Sequence, residues 1–316
     1  MLQIHNTKKF LEDLLAKEDS IGNKKITIKD LGEKRINISL SNGNIKCIEG
    51  TYYLSNLLQE LAIEIGKGNN KETTISLDRI YEKPVHRISR LIREKYWNDL
   101  TRKMDKEGLL NLLKDDKVKS KKNYVYIPYN DKKTFNYYNK FSKEFNIEVV
   151  RLPKKITPEY VLSINEKPGL LSLALNKDEN KEIHGEPFVV PGGRFNEMFG
   201  WDSYFQSVGL LIDNKPHLVK GTLENFRYEI EYYGSILTAN RSYFITRSNP
   251  PFFSSMLTEY IENQKVTDIS WISKMLNSLI KEYETVWMSE TRHCDNGLNR
   301  YYGNGIGYVI ETEKGH

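Results

Sequence analysis

Residues 189 to 211, VVPGGRFNEMFGWDSYFQSVGLL, hold the densest concentration of reactive and recognition groups in the chain. An apolar core has no use for Arg194, Glu197 and Asp202 so close together, and a solvated surface has none for Phe195, Phe199, Trp201 and Tyr204. The combination suits a partner that is polar and roughly flat, held by charged side chains and stacked on rings. Gly192 and Gly193 are expected to bend the backbone so that these side chains converge. Plainer roles stay open as well. Asp202 would N-cap a helix beginning at Ser203, and Trp201 and Phe195 would serve as core. Arg194 is the hardest to place in a purely structural role.

The elements that must position these groups are helical. Phe205, Val208, Leu211 and Ile212 follow Asp202 at helical spacing, and Leu223, Phe226, Ile230 and Tyr233 repeat it before Gly234, a C-cap residue. Pro250 and Pro251 open a third helix carrying Phe253, Met256, Leu257, Tyr260 and Ile261. A longer fourth has Ile269, Ile272, Leu276, Leu279, Tyr283 and Trp287. Short polar loops between successive helices, without a βαβ rhythm, point to a helical array.

Earlier in the chain, residues 1 to 70 read as a small mixed α/β segment. It has a charged helical start, two alternating stretches in KKITIKD and RINISLSNGNIKCIEG, and the apolar-periodic TYYLSNLLQELAIEIGKG. From residue 71 a second domain is expected to run to 316. Its first strong pattern puts Val85, Ile88, Leu91, Ile92 and Trp97 on one helix face, with the surrounding arginines and lysines read as a solvated face. YVYIPY at 124–129 reads as extended, and no order is evident from there to about residue 185.

Composition excludes several classes. With 316 residues, 39% hydrophobic and 28% charged, the chain is long enough to bury a sizeable core. Its 47 Lys and Arg against 42 Asp and Glu are spread evenly, which gives no nucleic-acid footprint. No stretch approaches the ~20 apolar residues of a membrane span, and no secretory h-region follows the basic start. Two cysteines, Cys47 and Cys294, suit a reducing compartment. A soluble cytoplasmic protein is expected.

PGGRFNEMFGWDSY at 191–204 resembles the trehalase signature P-G-G-R-F-x-E-x-Y-x-W-D-x-Y. ANRSYFITRSNPPFF at 239–253 resembles the same family's block A-N-R-S-Y-Y-x-x-R-S-Q-P-P. GTYYLSNLLQELAI, PVHRISRLIREKYWNDLTRKMD, LPKKITPEYV and PGLLSLAL also have counterparts, so the likeness covers nearly the whole chain. It is strongest to the fungal-type neutral trehalases of glycoside hydrolase family 37. The resemblance implies a mainly α fold, the N-terminal portion of an (α/α)6 toroid preceded by the small mixed segment. It also implies hydrolysis of α,α-trehalose to two glucoses with inversion, with no cofactor required.

On that resemblance Arg194, Phe195, Glu197, Trp201 and Asp202 are expected to bind the sugar, joined by Asn240, Arg247 and Asn249 from the second block. Arg247 would also suit a surface ion pair. Phe199 stands where the family has tyrosine and Asn249 where it has glutamine. Loss of one neutral hydrogen bond would cost on the order of 1 kcal/mol, enough to weaken binding but not to abolish it. Glu311 follows Val309 and Ile310, where the family has two prolines, and is a further expected sugar contact.

An inverting glycosidase needs an acid and a base ~6.5–9.5 Å apart. In trehalases, the resemblance implies, both belong to the second half of the toroid, and no catalytic residue is assigned in this chain. The expectation is a piece of a longer trehalase, or a chain whose ring is completed by another polypeptide such as an intact trehalase subunit. The alternative is a non-catalytic sugar-binding or regulatory homologue.

Residues 19 to 30, DSIGNKKITIKD, resemble the calcium-binding loop of the fungal enzymes. Asp19, Asn23, the Lys25 carbonyl, Thr27 and Asp30 would be the oxygen ligands. Ile21 replaces the second acid of that pattern, and Lys24, Lys25 and Lys29 stand nearby. A degenerate, low-affinity loop is expected, with an ordinary turn into a short strand as the alternative.

Overall fold

A computed structural model of the chain describes residues 1–114, 122–247, 249–303 and 305–306. The chain forms two compact units, Met1–Glu94 and Lys95–His316. The first thus extends well past the boundary expected near residue 70, because residues 72–75 fold back to pair with residues 2–5.

In the first unit, β1 (Leu2–His5) is followed by α1 (Thr7–Glu18), β2 (Arg35–Ser39), β3 (Ile45–Glu49) and α2 (Thr51–Gly66). Next come β4 (Glu72–Ile75), α3 (Leu77–Ile80) and α4 (Pro84–Leu91). The alternating RINIS and IKCIE stretches form the antiparallel β2–β3 hairpin, with Ile36 opposite Ile48. Its turn includes Gly43 at φ 81°, a backbone conformation that suits glycine. β1 pairs antiparallel with β4. Leu2, Leu14, Ile48, Leu54, Leu57, Leu61 and Ile80 close the core between the strands and helices.

Two expectations fail in this unit. KKITIKD is not a strand; residues 21–34 are turns and irregular backbone. The solvated basic face of α4 is reversed, since Arg87 is 4% exposed while Val85 and Ile88 are exposed. Arg87 lies 2.9 Å and Arg90 2.8 Å from Glu60, a buried acid on α2. A buried carboxylate demands charged partners, and that demand overrides the apolar periodicity.

The second unit begins with α5 (Trp97–Asp99), β5 (Thr101–Arg102) and α6 (Lys106–Leu112). Then β6 (Asn123–Ile127), α7 (Lys132–Asn139), β7 (Ile147–Arg151), α8 (Pro158–Ser163) and β8 (Gly169–Leu171) make a three-stranded parallel sheet in the order β7-β6-β8. This βαβαβ layer occupies the region where the sequence suggested no order. Its strands are short, and the helices between them are only eight and six residues long, the first of them Lys- and Asn-rich, which hides the rhythm. A hairpin of β9 (Leu175–Lys177) and β10 (Ile183–Gly185) follows, then β11 (Phe188–Val189), paired with β5.

The rest is helical: α9 (Gly200–Ile212), α10 (Pro216–Tyr232), α11 (Phe253–Gln264) and α12 (Ile269–Glu282), which continues into a π-helical turn at Tyr283–Trp287. The four expected helices are present, and Gly234, at φ 89°, sits just beyond the end of α10. Leu223, Phe226 and Ile230 are buried, as their spacing implies. On α9 the buried face is instead Gly200, Ser203, Ser207 and Leu210, with Phe205 and Ile212 outward. On α12 it is Met275, Ser278 and Glu282, with Ile269, Leu276 and Tyr283 exposed. No described helix is long and apolar enough to cross a membrane.

Candidate functional site

The two motif blocks meet through backbone hydrogen bonds. Met198 and Gly200 run antiparallel to Asn240 and Thr238: the Gly200 N–H donates to the Thr238 carbonyl at 3.0 Å, and the Asn240 N–H to the Met198 carbonyl at 3.2 Å. Between them Phe199 forms a bridge with Ala239. The parallel sheet supports this seam, because the Leu171 N–H donates to the Asn240 carbonyl at 2.9 Å. The Gly169 N–H donates to Ser242 Oγ at 3.0 Å. Segments some 40 residues apart are thereby fixed on one ridge at the start of α9.

Gly200 makes the seam feasible. A Cβ there would lie 2.5 Å from the Leu237 carbonyl oxygen and 2.5 Å from Asn249 Oδ1. Gly192 and Gly193, expected to bend the backbone, have no positive φ; a Cβ on Gly192 would make only ordinary contact with the Phe195 ring at 3.7 Å, and one on Gly193 would meet nothing within 4 Å. The turn there is held by the Phe195 N–H donating to the Gly192 carbonyl at 2.9 Å.

Beneath the ridge, Glu197 is fully buried. Its Oε2 accepts from Arg241 Nη2 at 3.3 Å and from the Asn196 N–H at 2.8 Å. Arg241, also buried, was not among the expected site residues. The signal was a guanidinium set between Asn240 and an aromatic run, overshadowed by the more familiar Asn240 and Arg247. Asn240 is equally enclosed: Oδ1 accepts from the Met198 N–H at 2.7 Å, and Nδ2 donates to the Leu171 carbonyl at 3.0 Å. Asn249 Nδ2 donates to the Pro250 carbonyl at 2.9 Å, while its Oδ1 packs on Gly200.

On the accessible side, Arg194 is exposed, with its guanidinium 5.1 Å from the centre of the Phe195 ring. Phe195 meets Phe199 edge to face at 5.1 Å, and Phe199 meets Phe244 at 6.1 Å. Position 199 thus packs within an aromatic cluster. Trp201 is 45% exposed and touches Phe205. Asp202 is half-buried, and burial raises its carboxyl above the usual range. It stands inside the first turn of α9 and does not cap it, since the helix begins at Gly200 with Phe199 at the N-cap. Tyr204 stacks on Phe252 at 4.8 Å and donates to Glu259 at 2.8 Å, clamping α9 to α11. Arg247 is half-buried against Gly305, and the Ile306 N–H donates to Thr246 Oγ1 at 3.1 Å. Glu311 lies outside the described residues, as do Val309 and Ile310.

A cavity of about 590 Å³ lies elsewhere, along α11 and α12, lined by Glu282, Tyr283, Trp287 and Arg300 among others. Burial pushes the Glu282 carboxyl up to about 7, with the Trp287 indole acting in the opposite sense. Of the second motif block, Pro251 reaches this cavity.

In the expected calcium loop the side-chain oxygens of Asp19, Asn23 and Asp30 are engaged by hydrogen bonds within the loop. A hard divalent cation needs several oxygens converging on one point. Asp19 instead accepts from the N–H groups of Gly22, Asn23 and Lys24 at 2.8, 3.2 and 2.6 Å. Asp30 accepts from the Thr27 hydroxyl and N–H and from the Ile21 N–H, and Asn23 Oδ1 from the Lys25 N–H. The Thr27 hydroxyl bond holds Asp30 below the usual carboxylate range. Ile21 brings no oxygen at its position.

A family model described as Trehalase matches residues 68–316. The chain is similar to a probable trehalase of Eremothecium gossypii, with 41% identity over 99% of this chain and 45% of that protein. It is similar to the cytosolic neutral trehalase of Saccharomyces cerevisiae, with 42% identity over 99% of this chain and 44% of that protein. Among solved structures it resembles neutral trehalase Nth1 from Saccharomyces cerevisiae, with a TM-score of 0.67 and 41% identity, covering 74% of this chain and 46% of that one. The chain thus spans somewhat less than half the length of the curated relatives it matches.

Proposed function

The chain belongs to the trehalase family, and from that premise we propose that it supplies the sugar-binding ridge of a cytosolic α,α-trehalase. That enzyme would hydrolyse trehalose to two glucoses with inversion. The observation that carries this reading is the seam joining residues 198–200 to 238–240 over the buried Glu197–Arg241 pair, with Arg194 and Trp201 exposed and Asp202 half-buried on the segments that flank it.

The roles divide by exposure. Arg194 and Asp202 offer paired donors and acceptors to sugar hydroxyls, and the Trp201 and Phe195 rings offer faces for the C–H side of a pyranose. Asn249 packs on Gly200 within the same seam. Glu197 and Asn240 act beneath it, as the groups that hold the ridge in shape. Neither Glu197, paired to a guanidinium, nor Asp202 is assigned as the acid or base, and hydrolysis by such a pair calls for no cofactor.

The outward apolar side chains of α9 and α12, Phe205, Ile212, Ile269, Leu276 and Tyr283, are consistent with a toroid whose remaining helices cover them. Those helices would come from polypeptide beyond this chain or from an intact trehalase subunit. Isothermal titration with trehalose, alongside a glucose-release assay, tests the reading. The 316-residue chain is expected to bind trehalose, to lose binding in Arg194→Ala, and to release no glucose. Glucose release abolished by Asp202→Asn would mean that the catalytic groups are misassigned. Binding without any hydrolysis, even when an intact trehalase supplies the missing helices, would favour the non-catalytic homologue.

A further inference from the structure

Away from the motif ridge, α7, the β9–β10 hairpin and α10 enclose a cavity of about 280 Å³ that neither motif block reaches. Its floor is Asp131, which is 6% exposed. One oxygen of that carboxylate accepts from the Thr134 N–H at 3.0 Å and the other from the Tyr228 hydroxyl at 2.8 Å. The Tyr228 hydroxyl is in turn 2.9 Å from Ser172 Oγ, so the floor is a fixed, buried polar network. A carboxylate has about four lone-pair positions, and these two bonds leave acceptor capacity facing the cavity.

The walls are Tyr137 and Tyr232, the latter held against Tyr228 with ring centres 4.5 Å apart, and Asn176 stands at the mouth. Buried acceptors below and ring faces beside them suit a neutral polyol with an apolar C–H face. Lys133, Lys177 and Arg227 line the cavity together with Asp131 and Glu231, so a polyol's hydroxyls meet donors and acceptors alike, while an anion's attraction to the three cations is opposed by the two carboxylates. The volume falls below the ~300 Å³ lower end of drug-sized pockets, which suits one six-membered sugar ring rather than two.

We propose that this cavity is a second carbohydrate site, taking a single neutral hexopyranose independently of Arg194 and Asp202. The probe is D-glucose, titrated by saturation-transfer NMR into the full 316-residue chain carrying Arg194→Ala, which isolates the cavity from the motif ridge. Glucose is expected to bind this variant. Adding Tyr232→Ala, which removes a wall, or Asn176→Trp, which fills the mouth from an exposed position, is expected to weaken binding about tenfold or more. Thermal unfolding of each variant identifies any loss that reflects misfolding, and Asn176→Trp leaves the buried floor intact. Failure of glucose to bind the Arg194→Ala chain would overturn the proposal. So would glucose affinity unchanged in the folded Asn176→Trp chain, or binding of inorganic phosphate in place of glucose.

Discussion

Glu197 and Arg241 form a buried ion pair, Oε2 to Nη2 at 3.3 Å, that joins the two motif blocks beneath the accessible ridge. Both side chains are almost fully enclosed, so removing one partner takes away an opposite charge that the other meets out of reach of water. Arg241→Ala is expected to cost about 3–5 kcal/mol of stability in chemical denaturation. Replacing both residues, as in Glu197→Gln with Arg241→Met, is expected to cost less than Arg241→Ala alone. Equal or greater loss in the double variant would show that the two side chains act separately.

The seam also makes a prediction about glycines. Gly200→Ala places a methyl 2.5 Å from a backbone oxygen and is expected to cost about 1–3 kcal/mol and to weaken trehalose binding. Gly193→Ala, with nothing within 4 Å of the new carbon, is expected to stay within about 0.5 kcal/mol of the parent. Similar unfolding midpoints for the two variants would contradict the packing described at Gly200.

These examples mark how far the sequence was legible. Helices α9 to α12 follow from apolar spacing, and Gly234 from its position after the last apolar turn. Which face each helix buries did not follow. Ser203 and Ser207 let α9 pack closely, and Met275, Ser278 and Glu282 face inward on α12, while larger apolar residues point out. Spacing alone puts Arg87 on a solvated face, because it carries no sign that Glu60, 27 positions earlier, is buried and needs a cation. At the site, Arg194, Trp201 and Asp202 were legible as residue types in a motif. Arg241 and Gly200 were not, because their roles depend on a partner segment about 40 residues away.

Glu282 gives the chain a pH signature. Its folded-state value near 7 lies above the ordinary 4.5, so the folded chain holds this proton more tightly than the unfolded chain. The contribution to stability is present at low pH and is lost as pH rises from about 4.5 through 7, by roughly 3 kcal/mol at most. Glu229, fully buried and likewise raised by burial, adds in the same sense. Glu282→Gln is therefore expected to gain stability relative to the parent between pH 5 and pH 8 in denaturant titrations. A difference between the two proteins that does not change with pH would contradict the assignment.

The loop at 19–30 should be indifferent to calcium. A ligand stabilises through its occupancy of the folded state, so millimolar calcium is expected to leave the thermal midpoint of the chain unchanged. A midpoint that rises with calcium and returns on chelation would show that Asp19 and Asp30 can exchange their N–H partners for a cation.

Trehalose bound on the ridge at the start of α9 would lie against Trp201, and the four tryptophans report on their surroundings separately. Trp97 donates its indole N–H to Asp213 at 2.6 Å and Trp271 to Glu224 at 2.7 Å, while Trp287 lines the α11–α12 cavity and Trp201 stands on the ridge. In a trehalose titration followed by the indole 15N–1H resonances, the Trp201 signal is predicted to shift with saturation while the other three stay in place. A stationary Trp201 signal, or a saturating shift of Trp287 in its stead, would contradict binding on the ridge and place the sugar elsewhere.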